Sequence, residues 1–244
     1  MIKPNLPINP ITKCIVSSET SDKILRKLSE LNISTVKAFG RMNCDKAIRQ
    51  HTDLYTIHIS EKSLLFAKNI CSLQGEIPNS FSGVDIDFPC ECKKYPSDVF
   101  FNCVVIGNDL ICNTKTVHKK VLDYAEDSKL KIINVNQGYA KCNICVVDED
   151  SVITEDCGIA SILNKNGYDV LLLKNHCVRL PGYEYGFIGG ASGKLAKDKL
   201  AFFGCIENHT EFGRIYDFLN RKGIEAVSLS DEPLTDYGSL IPIE

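Results

Sequence analysis

The sequence predicts an α/β protein made of five β-β-α-β modules set in a ring, the α/β propeller arrangement, closed by pairing of the N- and C-terminal strands. Three observations carry that expectation. A strand-turn-strand pattern recurs along the chain, a helix and a further strand follow it, and the two chain ends hold complementary halves of one more unit. Internal periods come first because a missed repeat misassigns the whole fold.

The repeat appears when NCVVIGNDLICNT (102–114) is placed over ICVVDEDSVITED (144–156): Cys103 falls on Cys145, Val104 and Val105 on Val146 and Val147, and Ile111 on Ile153. TIHISEKSLLFAK (56–68) follows the pattern more loosely, with Leu64 and Leu65 in the places of Leu110 and Ile111. Hairpins are therefore expected at 54–67, 99–112, 142–154 and 184–203, and the closing pair makes five.

Helices follow two of them. Thr114 or Thr116 is placed to cap VHKKVLDYAED, and Glu155 and Asp156 lead CGIASILNKNG, which ends on Gly167 as a C-terminal cap. The strands LKIINV (130–135) and YDVLLL (168–173) come next. The same helix-strand half recurs as SDKILRKLSELN with ISTVKAF near the start and TEFGRIYDFLNRKG with IEAVSL near the end. The 54–67 module is degenerate, because NICSLQGEIPNSFSG after it is a poor helix. ITKCIVS has a helix after it but no hairpin partner before it, whereas YGSLIPIE has a strand and no helix. Pairing 238–243 with 11–16 removes two open edges that would invite aggregation, and 1–244 then reads as one domain.

Composition sets the class. With 44% hydrophobic and 24% charged residues the chain has ordinary globular averages. The net charge of -3, with Lys and Arg scattered, gives no electrostatic footprint for nucleic acid or an anionic membrane. MIKPNLPINPITK has no apolar core of a signal peptide, and no segment reaches the ~18 apolar residues of a spanning helix. A soluble cytoplasmic protein is expected. Its twelve cysteines are then reduced thiols, with Cys14, Cys103, Cys112 and Cys205 read as core residues.

In such a ring, the loops leading into the hairpins point toward the axis, so positions far apart in sequence converge. These loops read RQHTD (49–53), KYPSD (94–98), GYAKC (138–142), PGYEYG (181–186) and PLTDYG (233–238). Four carry an acid, namely Asp53, Asp98, Glu184 and Asp236, and the remaining one carries Cys142. Cys142 can be a core thiol at a strand start, a metal ligand with Cys145, or a nucleophile. The metal pair is the weakest reading, because residues i and i+3 on a strand face opposite sides. Cys90 and Cys92 share a face if extended, yet no His stands beside them in sequence. No metal or cofactor is expected. His51 is functional or caps its loop; His58 belongs to a strand, and His118, His176 and His209 to the surface or helix starts. GGASGK (189–194) has Ile188 and Leu195 where a phosphate loop requires Gly and Ser or Thr, so it reads as a bend where backbones approach closely.

A ring of five such units with His, Cys and acids around its axis resembles the pentein superfamily, the guanidino-group-modifying enzymes. The run QGYAKC, PGYEYGFIGGASG, PLTDYGSLIP further resembles a group of uncharacterised bacterial single-domain proteins with that fold. The resemblance implies a thiolate that attacks a guanidinium carbon, giving a covalent intermediate resolved by water, as in a hydrolase, or by an amine, as in an amidinotransferase. It makes Cys142 the nucleophile, His51 the proton shuttle with Asp53 fixing its tautomer, and Glu184 a bidentate partner of the planar cation. Asp98, Asp236, Tyr185 and Lys141 then bind substrate, a small guanidino or amidino cation; Lys141 also favours the thiolate. His51, Cys142 and Glu184 on the first, third and fourth modules would be a circular permutation of the familiar order; known members carry their Cys in the final module, where this chain departs with Asp236, Tyr237 and Gly238 and no thiol. The superfamily also has a silent branch, which makes a non-catalytic ring binding a metabolite or protein the alternative.

Overall fold

The structure is a computed structural model that describes residues 2–40, 45–61, 63–67, 71–75, 77, 82–85 and 95–244. Each apolar repeat folds as an antiparallel hairpin. Val104–Ile106 pairs with Asp109–Cys112, Cys145–Val146 with Ser151–Thr154, Ser192–Ala196 with Lys199–Phe202, and Thr56–Ser60 with Ser63–Phe66. The second strand of each then pairs in parallel with a third: Lys131–Asn134, Asp169–Leu172, Glu225–Ser228 and Ser82–Asp85 respectively. Parallel neighbours need a crossover. In three of these units it is a helix, Lys119–Asp127, Cys157–Lys165 or Phe212–Arg221.

The two ends build the remaining sheet. Ile241–Pro242 pairs antiparallel with Lys13–Ser17, at Ile241 with Ile15 and Pro242 with Cys14. Lys13–Ser17 crosses over through the helix Asp22–Glu30 to Ser34–Gly40, and Cys71–Gln74 adds the outer strand. The architecture is thus α/β, with none of the described sheets closed on itself.

Cores are shared between sheets in a fixed succession. Ile57 and Leu65 pack with Val105 and Leu110, and Val104 and Ile111 with Val152 and Ile159. Ile153 packs with Leu200 and Phe202, while Ala201 and Phe203 pack with Cys14 and Val16. Val36 and Ala38 return to the cluster of Ile57.

Some local expectations change. The helix Lys119–Asp127 is capped by His118, whose Nδ1 accepts the Lys120 amide at 3.2 Å, and not by Thr114 or Thr116. Thr114 instead donates its amide and hydroxyl to Asn134 Oδ1. The poor helix after residue 67 contributes the strands Cys71–Gln74 and Ser82–Asp85. Cys205 is half-buried at the start of the 3-10 turn Ile206–Asn208, its thiol donating to Glu207, and His209 is buried with Nδ1 accepting the Glu211 amide. Nine cysteines among the described residues carry free thiols; Cys90 and Cys92 lie outside the described residues. Among the described residues, no helix is long and apolar enough to cross a membrane.

Candidate active site

Cys142 lies in the single helical turn Ala140–Asn143, just before the strand Cys145–Val146, and not at a strand start. The first amides of a helix have no partner within it. Here Asn102, from the neighbouring module, supplies one: its Oδ1 accepts the amides of Lys141 at 2.8 Å and Cys142 at 3.1 Å. The same side chain donates from Nδ2 to Cys142 Sγ at 3.1 Å. The turn and its thiol are therefore fixed by one buried amide.

The thiol donates into Asp53, with Sγ 3.3 Å from Oδ1 and 3.2 Å from Oδ2. Asp53 belongs to the 3-10 turn Thr52–Leu54, and its amide donates to the Gly238 carbonyl at 3.0 Å. Ser239 links this carboxylate to Lys141, donating from Oγ to Asp53 Oδ2 at 2.9 Å and accepting from Lys141 Nζ at 3.0 Å. Asp236 is held by the amides of Phe187 at 3.0 Å and Gly238 at 2.9 Å, and its Oδ1 lies 3.6 Å from His51 Nδ1.

Glycines make this crowding possible. A Cβ on Gly190 would fall 2.0 Å from Asp236 Oδ1, and one on Gly189 would meet the carbonyls of Lys141, Cys142 and Ile144 within 2.6 Å. The bend read from GGASGK thus lets Asp236 and the Cys142 turn approach one another. Gly238, at φ +78, passes over His51 where a Cβ would lie 2.4 Å from that residue's own.

Burial governs the electrostatics. Cys142, Asp53, Asp236, His51 and Lys141 are each at most 7% exposed. Desolvation disfavours the charged form of every group. It lowers His51 and Lys141 against the pull of the acids, and it raises Asp53 and carries Asp236 to about 6. The Cys142 thiol is pushed well up by burial, then by the charges of Asp53 and Asp236. Burial therefore works against the charged form of each group, and a bound cation would work the other way on both carboxylates and the thiol.

A cavity of about 300 Å³ opens over these groups. Cys142, His51 and Asp236 form its buried floor, and Ile48, Leu180, Tyr139 and Phe187 its walls. Tyr183, Glu184 and Tyr185 stand exposed at its mouth. Asp53 lies behind the thiol, Lys141 turns its ammonium to Ser239, and Asp98 accepts the Tyr139 hydroxyl at 2.7 Å. These three do not line the cavity. Among the described residues, His51, Asp53 and Cys142 offer donor atoms within 4.8 Å of one another, a nitrogen, oxygen and sulfur set that suits a divalent ion such as zinc.

Sequence reasoning missed Asn102, Ser239 and Glu155. Asn102 had a visible signal, an amide at the head of the apolar run FFNCVVI. Ser239 is fully buried at φ +68 after Gly238 and has no sequence signature. Glu155 accepts the Ile188 amide at 3.0 Å beneath the Phe187 wall, and burial raises it to about 7.

A family model described as a family of unknown function, DUF6873, matches residues 15–241, and the chain belongs to that family. No curated protein matches it. Among solved structures the chain is similar to the inosamine-phosphate amidinotransferase of Streptomyces griseus, at 8% identity and TM-score 0.60, over 100% of this chain and 97% of that one. It is similar to an amidinotransferase of saxitoxin biosynthesis from Microseira wollei, at 10% identity and TM-score 0.53, over 97% and 92% of the two chains. It is also similar to an agmatine deiminase of C. jejuni, at 14% identity and TM-score 0.53, over 100% and 97%. All three are pentein superfamily members, and at these identities the likeness identifies the fold.

Proposed function

We propose that this DUF6873 protein modifies a guanidine or amidine through covalent catalysis by Cys142, within a single five-module ring whose axis holds the site. The observation that carries the reading is the thiol itself. It sits on the floor of a cavity, hydrogen-bonded to both oxygens of Asp53 and to Asn102, with a His51 nitrogen within 4.8 Å. The solved neighbours, two amidinotransferases and a deiminase, support the substrate class. The cyclic succession of shared cores and the pairing of Ile241–Pro242 with Lys13–Ser17 support the ring. A cytoplasmic location belongs to the same proposal and rests on twelve cysteines in a chain of ordinary globular composition.

In this reading the planar cation lies against Asp236, and its charge offsets the two carboxylates that keep the thiol protonated. The thiol proton passes by way of Asp53 to His51, which burial keeps neutral until then, and the sulfur attacks the amidino carbon to give a tetrahedral adduct. The C–N bond then breaks, His51 delivering a proton to the departing amine, and an S-amidino-cysteine remains. Water gives a hydrolase and an acceptor amine an amidinotransferase; in either case His51 takes a proton from the incoming nucleophile and returns it by way of Asp53 to the departing sulfur, which restores the thiol. Glu184 meets the substrate from the mouth.

The test is labelling with a haloacetamidine and with neutral iodoacetamide, with adducts located by mass spectrometry. The expected result is selective modification of Cys142 by the cationic reagent, weakened in Glu184→Gln and His51→Ala. Equal, slow modification of several cysteines by both reagents refutes it and favours a non-catalytic binding ring.

A further inference from the structure

The cavity carries acid at both ends. Asp236 lies buried on the floor beside His51, and Glu184 stands exposed at the mouth. Between them the wall is apolar and aromatic. Phe187 packs 6.3 Å from Tyr139 and edge-on to Tyr185, with centroids 6.0 Å apart. Tyr185 is itself held by His176, whose ring stacks on it at 3.9 Å and 13°. His176 in turn stands 3.9 Å from Oε1 of buried Glu155, an oxygen without a hydrogen-bond partner among the described residues. The aromatic wall is thus built in place before any ligand arrives.

Resting on the guanidine reading, we infer that the site selects guanidines or amidines carried on a short apolar stem whose far end is cationic or neutral, and rejects guanidino acids. A carboxylate at the far end would meet Glu184, a like charge, after crossing a wall that offers it aromatic faces, which attract cations and not anions. An ammonium there would meet an opposite charge. The volume of about 300 Å³ lies at the small end of ligand pockets, which sets the stem at a few carbons. Glu184 is then a specificity residue that reads the far end of the substrate, while Asp236 reads its head.

The three probes share a guanidine and a four-carbon length: butylguanidine, 4-aminobutylguanidine and 4-guanidinobutanoate. Their affinities are measured by calorimetry on Cys142→Ser, which cannot turn them over. Exposed charge pairs change affinity by up to about fivefold each way, so the amine should bind about tenfold tighter than the acid, with butylguanidine between. In a Cys142→Ser background carrying Glu184→Gln, that spread should shrink to about twofold, and raising salt should shrink it in the parent. The inference fails if the acid binds as tightly as the amine, or if the order survives Glu184→Gln unchanged. Those outcomes leave guanidine recognition standing. If none of the three binds, guanidine recognition falls as well.

Discussion

Replacing Asp53 by Asn should make Cys142 react faster with a neutral alkylating agent, although Asp53 belongs to the proposed catalytic machinery. The carboxylate oxygens lie 3.3 and 3.2 Å from the sulfur, and their charge helps to hold the thiol protonated. A unit charge at ~4 Å in a medium of effective dielectric ~20 is worth about 4 kcal/mol, or three powers of ten in proton affinity. Burial raises Asp53 too, which weakens the hold of its charge, so removing that charge lowers the thiol by less than this full Coulomb effect. The thiolate fraction then rises about ten- to hundredfold near neutral pH. A less basic thiolate is also a weaker nucleophile, with a Brønsted slope of ~0.5, which leaves a net gain of about three- to tenfold. Iodoacetamide rates at Cys142 between pH 6.5 and 8.5, followed by peptide mass spectrometry, read this directly. A haloacetamidine should show the reverse, because the variant has lost a carboxylate that attracts its charge. An Asp53→Asn protein that is folded by circular dichroism yet reacts with iodoacetamide at or below the parent rate would refute the electrostatic account.

Other perturbations test the supports of the site. Asn102→Ala strips the partners of two amides and the thiol and should cost about 1–3 kcal/mol, seen as a lower Tm together with loss of selective labelling. Gly190→Ala drives a methyl onto Asp236 and should abolish haloacetamidine selectivity; unchanged labelling would contradict the close approach. Deleting residues 241–244 removes the buried Ile241 and Ile243 and the strand that covers Lys13–Ser17. At about 2–5 kcal/mol per buried side chain this should lower Tm by roughly 10 °C or more, and an unchanged Tm would remove support for closure through the chain ends. Glu155 is raised from 4.5 to about 7 by burial, so the native state binds the extra proton. Its contribution is fully present below pH 4.5 and is lost as pH rises through 7, a fall of at most about 3 kcal/mol. Glu155→Gln should be more stable than the parent at pH 8 and nearly equal to it at pH 4.5; parallel Tm profiles would refute this.

What could be read in the sequence was whatever repeats. Apolar alternation at 102–114 and 144–156 marks two hairpins because period-2 burial is a property of consecutive residues, and the structure pairs Val104 with Ile111 and Cys145 with Ile153. Helix ends were legible where the cap lies in the same few residues, as Asp156 accepting the Ile159 amide and Gly167 at φ +91. They were missed where the capping group was unusual, as His118. The loops leading into the hairpins pointed to Cys142, His51, Asp53, Glu184 and Asp236 as a set, since the repeat itself aligns them. The repeat does not encode contacts made across modules, and those decide the roles. Asn102 reaches 40 positions along the chain to hold the Cys142 turn, and Ser239 reaches 186 positions to Asp53. Lys141 is adjacent to Cys142 in sequence, yet its ammonium donates to Ser239 and it does not line the cavity. Asp98, aligned with the other acids, is turned to the Tyr139 hydroxyl and can influence a ligand only through that wall. A position aligned by the repeat thus need not share a backbone conformation, as Cys142 in a helical turn and Asp53 in a 3-10 turn show, and its chemistry depends on which neighbouring unit supplies the partner. Cys142, just before the strand Cys145–Val146, and Asp236, near the C-terminal strand, are brought to one cavity in this way, with Gly189 and Gly190 providing the room for the Cys142 turn and the Asp236 carboxylate to approach.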